Sequence, residues 1–199
     1  MSLTVQGSLF DHAERRSLGD GAWIDVRSGW LGAGHDTLFE ELEASIPWRA
    51  ERRQMYDRVL DVPRLVSFHD LTAEPPPHPG LAKLRVRLND SYAREMGEPF
   101  TTAGLCLYRD ETDSVAWHGD TIGRSSTEDT TVAIVSLGAT RVFALRPRAG
   151  GRSLRLPQGH GDLLVMGGSC QRTWEHAVPK TARPKGPRIS IQFRTRDVR

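Results

Sequence analysis

Before residue 100 the apolar positions recur at helical spacing in two places. Leu38, Phe39, Leu42 and Ile46 form one stripe, opened by Asp36 and stopped by Pro47. Leu81, Leu84, Leu88 and Tyr92 form a second, which predicts a helix over about 80–96. The intervening text has other rhythms. Residues 1–20 show none and read as a loose arm, and 22–31, A-W-I-D-V-R-S-G-W-L, read as a short strand and turn. Residues 48–61 are charged and read as an exposed segment, with a hairpin as one form of it. Residues 63–69, P-R-L-V-S-F-H, alternate as a strand does, and 74–80, E-P-P-P-H-P-G, is a rigid loop.

From Phe100 onward the pattern changes. Short apolar runs at 103–108, 115–117, 131–137, 141–146, 162–166, 172–178 and 188–194 are separated by Gly, Pro and Asp clusters. Regular short strands with turns predict a mainly β fold with flanking helices, a sandwich or jelly roll. No boundary splits the chain, so 1–199 reads as a single domain: an N-terminal extension over 1–99 whose helices buttress a jelly-roll core over 100–199.

Composition adds limits. A hydrophobic content of 38% supports a real core. No apolar run approaches the roughly 20 residues needed to span a bilayer, and M-S-L-T-V-Q-G-S-L-F lacks the basic start and long apolar stretch of a secretory signal. Cys106 and Cys170 are the only cysteines, which suits a reducing cytosol better than a disulfide framework. The expectation is a monomeric, cytoplasmic protein without a membrane partner. Net charge is +2 but uneven: residues 1–90 hold 11 Lys+Arg against 14 Asp+Glu, and residues 91–199 hold 16 against 11. Arginine supplies 24 of the 27 basic residues. Its guanidinium suits phosphate contact. A genomic preference for arginine gives the same count, so charge alone fixes no partner.

The chemistry sits in the second half. H-x-D by itself is weak evidence, since chance gives roughly half a match in a chain of this composition, and two occur. His160-Gly-Asp162 lies between glycines and reads as a turn feeding a strand. His118-Gly-Asp120 follows a strand and has His176, in W-E-H, far downstream. Taken singly, His118 could be a satisfied core histidine, Asp120 a turn cap and His176 a partner of Trp174. Together, two imidazoles and a carboxylate can occupy one face of a metal and leave the other open, the facial triad of non-heme Fe(II) oxygenases. Arg188 and Arg194, in R-I-S-I-Q-F-R, can fork N–H groups onto the carboxylates of an acid co-substrate.

With these residues in place the chain resembles the AlkB family of Fe(II)- and 2-oxoglutarate-dependent dioxygenases over roughly 48–196. The resemblance rests on L-Y-R-D-E-T-D-S-V-A-W-H-G-D at 107–120, L-R-L-P-Q-G-H-G-D-L-L-V-M-G-G at 154–168, Q-R-T-W-E-H-A-V-P-K at 171–180 and the R-x5-R of 188–194. It implies a double-stranded β-helix, or jelly roll, preceded by a helical, nucleotide-recognition extension. It implies Fe(II) on His118, Asp120 and His176, and 2-oxoglutarate on Tyr108, Arg188, Ser190 and Arg194. O2 is the oxidant, and succinate and CO2 are products. The implied reaction is oxidative demethylation of N-alkylated nucleobases in DNA, with RNA as a further class, releasing formaldehyde as direct-reversal repair. A base inside a duplex cannot reach such a site, so it is flipped out or starts single-stranded. Trp48, Met55 and Tyr56 are the candidates for gripping it, with Phe68 read rather as core.

The chain departs from the family at three places: Cys106 and Ser190 stand where asparagine is usual, and T-I-G-R at 121–124 follows the H-x-D instead of acidic residues. Two other readings stay open at this point. One is a 2-oxoglutarate oxygenase acting on a protein, lipid or small molecule. The other is a metal-binding jelly roll that senses or sequesters a ligand.

Overall fold

The structure is a computed structural model that describes residues 13–55, 58–72, 75–120, 123–183 and 185–196. In chain order its elements are β1 (Ala13–Gly19), β2 (Ala22–Arg27), α1 (His35–Ser45), β3 (Arg49–Met55), β4 (Arg58–Asp70), α2 (Pro79–Met96), β5 (Thr102–Tyr108), β6 (Val115–His118), β7 (Val132–Gly138), β8 (Arg141–Pro147), β9 (Leu154–Gln158), β10 (Leu163–Gly167), α3 (Cys170–Thr173), β11 (Trp174–Val178) and β12 (Arg188–Arg194). Eight strands form a main sheet in the order β1-β2-β10-β7-β12-β5-β4-β3, and four form a smaller one in the order β6-β11-β8-β9. All pairings are antiparallel. The result is the expected jelly roll with helices on one side.

Alternation along the central strands builds the layers. In β12 the apolar Ile189, Ile191 and Phe193 face the helices, where they join Leu42, Leu81, Leu84, Leu88 and Phe100 in one buried cluster. The other face of the main sheet supplies Val66, Cys106, Tyr108, Ile134, Leu164 and Met166 to a second cluster, shared with Phe143, Leu145, Leu156 and Val178 of the small sheet. Each of the three buried leucines of α2 contributes roughly 1.5–3 kcal/mol through burial. The helix starts on His78, whose Nδ1 accepts from the Gly80 N–H, and stops at Gly97, whose φ of 73° only glycine adopts freely. Its second anchor is polar. The Tyr92 hydroxyl donates to the buried Asp25 Oδ2 at 2.7 Å, and Arg27 reaches the same oxygen at 3.2 Å.

Two parts of the N-terminal half differ from the reading of the sequence. Residues 13–19 belong to a strand, β1, instead of a loose arm. The strand lies at the edge of the main sheet and pairs on one side only, so nothing imposes an inward–outward alternation on A-E-R-R-S-L-G. Residues 48–61 do form a hairpin, but β4 is longer than the alternating 63–69 suggested. Only Leu65–Asp70 of β4 pair with β5, while 58–61 pair only with β3, so the outer half of the β3–β4 hairpin extends past the end of β5. Tyr56 lies outside the described residues, as does the side chain of Met55.

Candidate metal centre

β6 and β11 are neighbours in the small sheet, and their register sets His118 opposite His176. Asp120 follows two residues after His118. The ligand-type atoms of these three side chains all lie within 4.8 Å of one another. Hydrogen bonding decides which nitrogen of His118 is free. Its Nδ1 is 2.9 Å from the Ala116 carbonyl, which can only accept, so the proton sits on Nδ1 and the Nε2 lone pair faces Asp120 Oδ1, 4.0 Å away. His176 is buried and stacks on Phe143 with ring centroids 5.2 Å apart. His118 is partly open to solvent, so the cluster is closed on the small-sheet side and accessible on the other.

Burial pulls the His176 pKa down to about 3, with His118 adding to the effect. The imidazole is therefore neutral, the form that binds a metal. Burial alone would raise Asp120, but Arg194 and the two histidines outweigh it and bring the carboxyl to about 2. Arg194 makes the strongest of these contacts, with Nη2 at 2.8 Å and Nε at 3.1 Å from Asp120 Oδ2.

A second histidine–aspartate cluster, His35, Asp36 and His160, meets the same distance condition. Hydrogen bonding separates the two. Gly138 N–H donates to His160 Nδ1 at 2.7 Å, so the ring proton is on Nε2, pointing at Asp36 at 2.9 Å. His160 thus presents a donor to the centre of its cluster, where His118 presents a lone pair. Asp162 closes the turn by accepting from Gly159 and Gly29. This H-x-D ties α1 to the end of β7.

The inner face of β12 carries Arg188, Ser190, Gln192 and Arg194 in line. Arg188 is buried beside Tyr108, its guanidinium carbon 5.2 Å from the ring centre, and donates from Nη2 to Ser136 Oγ at 2.7 Å. Its Nε and Nη1 are buried with no hydrogen-bond partner among the described residues. Burial lowers the Arg188 pKa and raises that of the Tyr108 phenol. A buried cation with two idle donors carries a desolvation cost that an anionic ligand would offset. Gly138, opposite Arg188 on β7, must be glycine: its φ is 84°, and a Cβ there would meet Pro187 O at 2.4 Å and Phe39 Cε2 at 2.8 Å.

The structure does not bring Trp48 to this site. Its ring packs against the cluster on the helix side of the main sheet, and its indole N–H donates to Glu43 O at 3.0 Å. The triad lies on the opposite face, so Trp48 is corrected from a base-gripping residue to a core one. Phe68 moves the other way. It is 63% exposed, on the same face of the main sheet as Arg194. Gly104 makes room for both, since a Cβ there would stand 3.1 Å from Phe68 Cε1 and 3.1 Å from Arg194 Nη1. Two arginines of the second half of the chain are held in ion pairs, Arg124 with Glu98 at 2.7 Å and Arg172 with Asp129.

Three site neighbours escaped the sequence reading. Ser136, Arg188's partner, was signalled by being the one polar residue in the apolar strand V-A-I-V-S-L-G. Gln192 was signalled by the polar alternation of R-I-S-I-Q-F-R. Arg141 had no such signal; it is buried behind Tyr108 and donates to the carbonyls of Asp110, Asp113 and Pro179.

This arrangement has counterparts in known proteins. A model of the 2OG-Fe(II) oxygenase superfamily matches residues 32–194, and the chain belongs to that superfamily. It is 34% identical over 182 residues to the alpha-ketoglutarate-dependent dioxygenase alkB homolog 3 of Bos taurus, covering 80% of this chain and 61% of that one. With the Homo sapiens homolog 3 it shares 33% over 195 residues, 87% of this chain and 63% of that one. With the DNA oxidative demethylase ALKBH2 of Homo sapiens it shares 29% over 204 residues, 87% and 76% respectively. The chain thus spans about three fifths of the length of its homolog 3 relatives. The solved structure of OsALKBH1 superposes with a TM-score of 0.61 at 16% identity, over 90% of this chain and 100% of that one, and shares the fold.

The family's metal and co-substrate fit the residues present. The donor set of His118, Asp120 and His176 suits Fe(II), with neutral imidazoles and an ionised carboxylate. The idle donors of Arg188 suit one carboxylate of 2-oxoglutarate.

The His176 shift has a consequence for the metal-free protein. Its folded pKa lies below the unfolded 6.5, so the unfolded chain binds the extra proton. The stability this gives is complete above pH 6.5 and is lost as the pH falls towards 3. His69, also lowered by burial, acts in the same direction. Urea unfolding is expected to show a loss of about 2 kcal/mol between pH 7 and pH 5. An unchanged midpoint would mean that the His176 ring reaches water.

Proposed function

We propose that this chain is an Fe(II)- and 2-oxoglutarate-dependent dioxygenase that removes N-linked methyl groups from alkylated nucleobases. DNA is the first substrate and RNA a further one, and the reaction reverses alkylation damage directly. The observation that carries the proposal is a buried arginine with idle donors on the inner face of the main sheet, the face whose Arg194 binds Asp120 of an open-sided His-Asp-His cluster. Its relatives, an alpha-ketoglutarate-dependent dioxygenase and a DNA oxidative demethylase, support the same reading.

In this mechanism His118, Asp120 and His176 would hold Fe(II), and Tyr108, Arg188, Ser190 and Arg194 would hold 2-oxoglutarate. When bound, the iron and 2-oxoglutarate would supply the oxidation, with O2 and 2-oxoglutarate converted to succinate and CO2 and the second oxygen atom passed to the N-methyl carbon. The resulting N-hydroxymethyl group loses formaldehyde and leaves the repaired base. Arg188, with Ser136 on one side and the Tyr108 ring on the other, fixes the far carboxylate. Arg194 holds Asp120 ionised and oriented. Phe143 backs the His176 ring and keeps water from that side. Phe68 offers an exposed aromatic face at the entrance, on which an unstacked base of any sequence can rest. Both cysteines are buried and unpaired, as suits a monomeric enzyme of a reducing cytoplasm. No helix among the described residues is long and apolar enough to cross a membrane.

The test is to incubate the iron-loaded protein with oligonucleotides carrying 1-methyladenine, 3-methylcytosine or etheno lesions and to follow their mass. Loss of the alkyl group is expected. Succinate formation without mass loss on any lesion would move the substrate to a protein, lipid or small molecule. Base stacking contributes about 1–3 kcal/mol per base, so Phe68→Ala should raise KM for the oligonucleotide roughly fivefold or more while leaving 2-oxoglutarate affinity unchanged. Equal changes in both would place Phe68 in the co-substrate pocket instead.

A further inference from the structure

Three small side chains lie abreast on the inner face of the main sheet. Ser136 on β7, Ser190 on β12 and Cys106 on β5 are direct partners in the two ladders. Arg188 stands on one side of this row, and the Arg194–Asp120 pair on the other. Large aliphatic residues in the row would fill the space above it; small ones leave a floor over which a short acid can lie.

Gln192 crosses this floor. Its Nε2 donates to Ser190 Oγ at 2.7 Å and to Ser190 O at 3.1 Å. Its Oε1 stands 3.7 Å from Cys106 Sγ, which donates to it. The orientation of the carboxamide is therefore fixed, because flipping it would set Oε1 against the Ser190 carbonyl, which can only accept. The effect falls on Ser190. A hydroxyl has one proton and two lone pairs. With Gln192 occupying a lone pair, the proton of Ser190 is left to donate, and no acceptor takes it among the described residues.

We propose that Gln192, held by the Cys106 thiol, is a positioning residue that makes Ser190 a one-way hydrogen-bond donor to the acid co-substrate. The inference rests on the reading of this pocket as a 2-oxoglutarate site. The residue pair Cys106–Gln192 is thus a determinant of co-substrate affinity that acts without touching the co-substrate itself. Cys106 matters here as a donor, and a hydroxyl in its place does the same work.

Calorimetric titration of 2-oxoglutarate into the Mn(II)-loaded protein without oxygen tests this in the absence of turnover. A donor to a carboxylate is worth about tenfold in affinity or more. Gln192→Leu and Ser190→Ala should each weaken binding by about tenfold, and the double variant should be no weaker than either, because one acts through the other. Gln192→Glu, nearly the same shape, should lose more, since it cannot donate and adds a negative charge. Cys106→Ser should bind within about twofold of the parent, and Cys106→Val should bind more weakly. Thermal midpoints of the ligand-free variants separate these effects from misfolding. Unchanged binding in Gln192→Leu and Gln192→Glu, or additive losses in the double variant, would overturn the relay. If the parent binds 2-oxoglutarate and Arg188→Ala loses it while the Gln192 variants do not, the pocket reading stands and the relay falls. No binding by the parent would overturn both.

Discussion

His176→Ala is expected to abolish turnover and to remove tight metal binding. His176 is the only one of the three ligand-type residues that is both buried and braced by an aromatic ring, Phe143. Loss of a group that merely supports a ligand costs about 10–100-fold in metal affinity or activity; loss of the ligand itself should exceed that. The change also removes a buried neutral imidazole whose pKa lies near 3. The metal-free variant should therefore keep or gain stability at pH 5 relative to the parent, while the metal-loaded parent stays the more stable at pH 7. Titrations with Fe(II) or Mn(II) and succinate assays measure the two effects separately. A His176→Ala protein that still binds metal and forms succinate would remove this residue from the centre. His160→Ala is the control. It should leave both readouts intact and cost stability only, through the Gly138 and Asp36 contacts.

The second large effect is at Arg188. Truncating one partner of a buried charge pair costs about 2–5 kcal/mol, so Arg188→Ala should weaken 2-oxoglutarate binding by roughly 30-fold or more. Arg188→Lys keeps the charge but loses the planar fork and the bond to Ser136, and should fall between the two. The same residue makes an opposite contribution in the empty protein. Its Nε and Nη1 are buried and idle, and burial already lowers its pKa, so the ligand-free fold carries the cost of that charge. Added 2-oxoglutarate should raise the melting temperature of the metal-loaded parent and not that of Arg188→Ala. A ligand-induced rise that survives in the alanine variant would place the acid elsewhere.

How far the sequence led depended on which physical fact each residue expresses. His118, Asp120, His176, Arg188 and Arg194 were legible because their spacing along three strands is itself the motif. The rival His160–Asp162 pair was legible from its flanking glycines, and the Gly138 hydrogen bond gives the physical reason. Phe68 was not legible. Alternation puts it on the inner face, where a phenyl normally reads as core. The small sheet has four strands against eight and covers the inner face of β4 at Val66 but not at Phe68, so the ring there meets solvent. Trp48 failed for the converse reason: a tryptophan among charges looked exposed, yet the end of α1 turns it onto the helix-side core. β1 hid because an edge strand needs no alternation. Gln192 could have been read from the period of two in R-I-S-I-Q-F-R. Its contacts with Ser190 and Cys106 could not, because they depend on the register between β12 and β5.

The most direct measurement is the ratio of formaldehyde to succinate formed from a single-stranded oligonucleotide carrying one 3-methylcytosine, with Fe(II), 2-oxoglutarate and O2 supplied. One formaldehyde per succinate, both lost in His176→Ala, is the expected result. Succinate without formaldehyde, or formaldehyde that persists when 2-oxoglutarate is withheld, would contradict it.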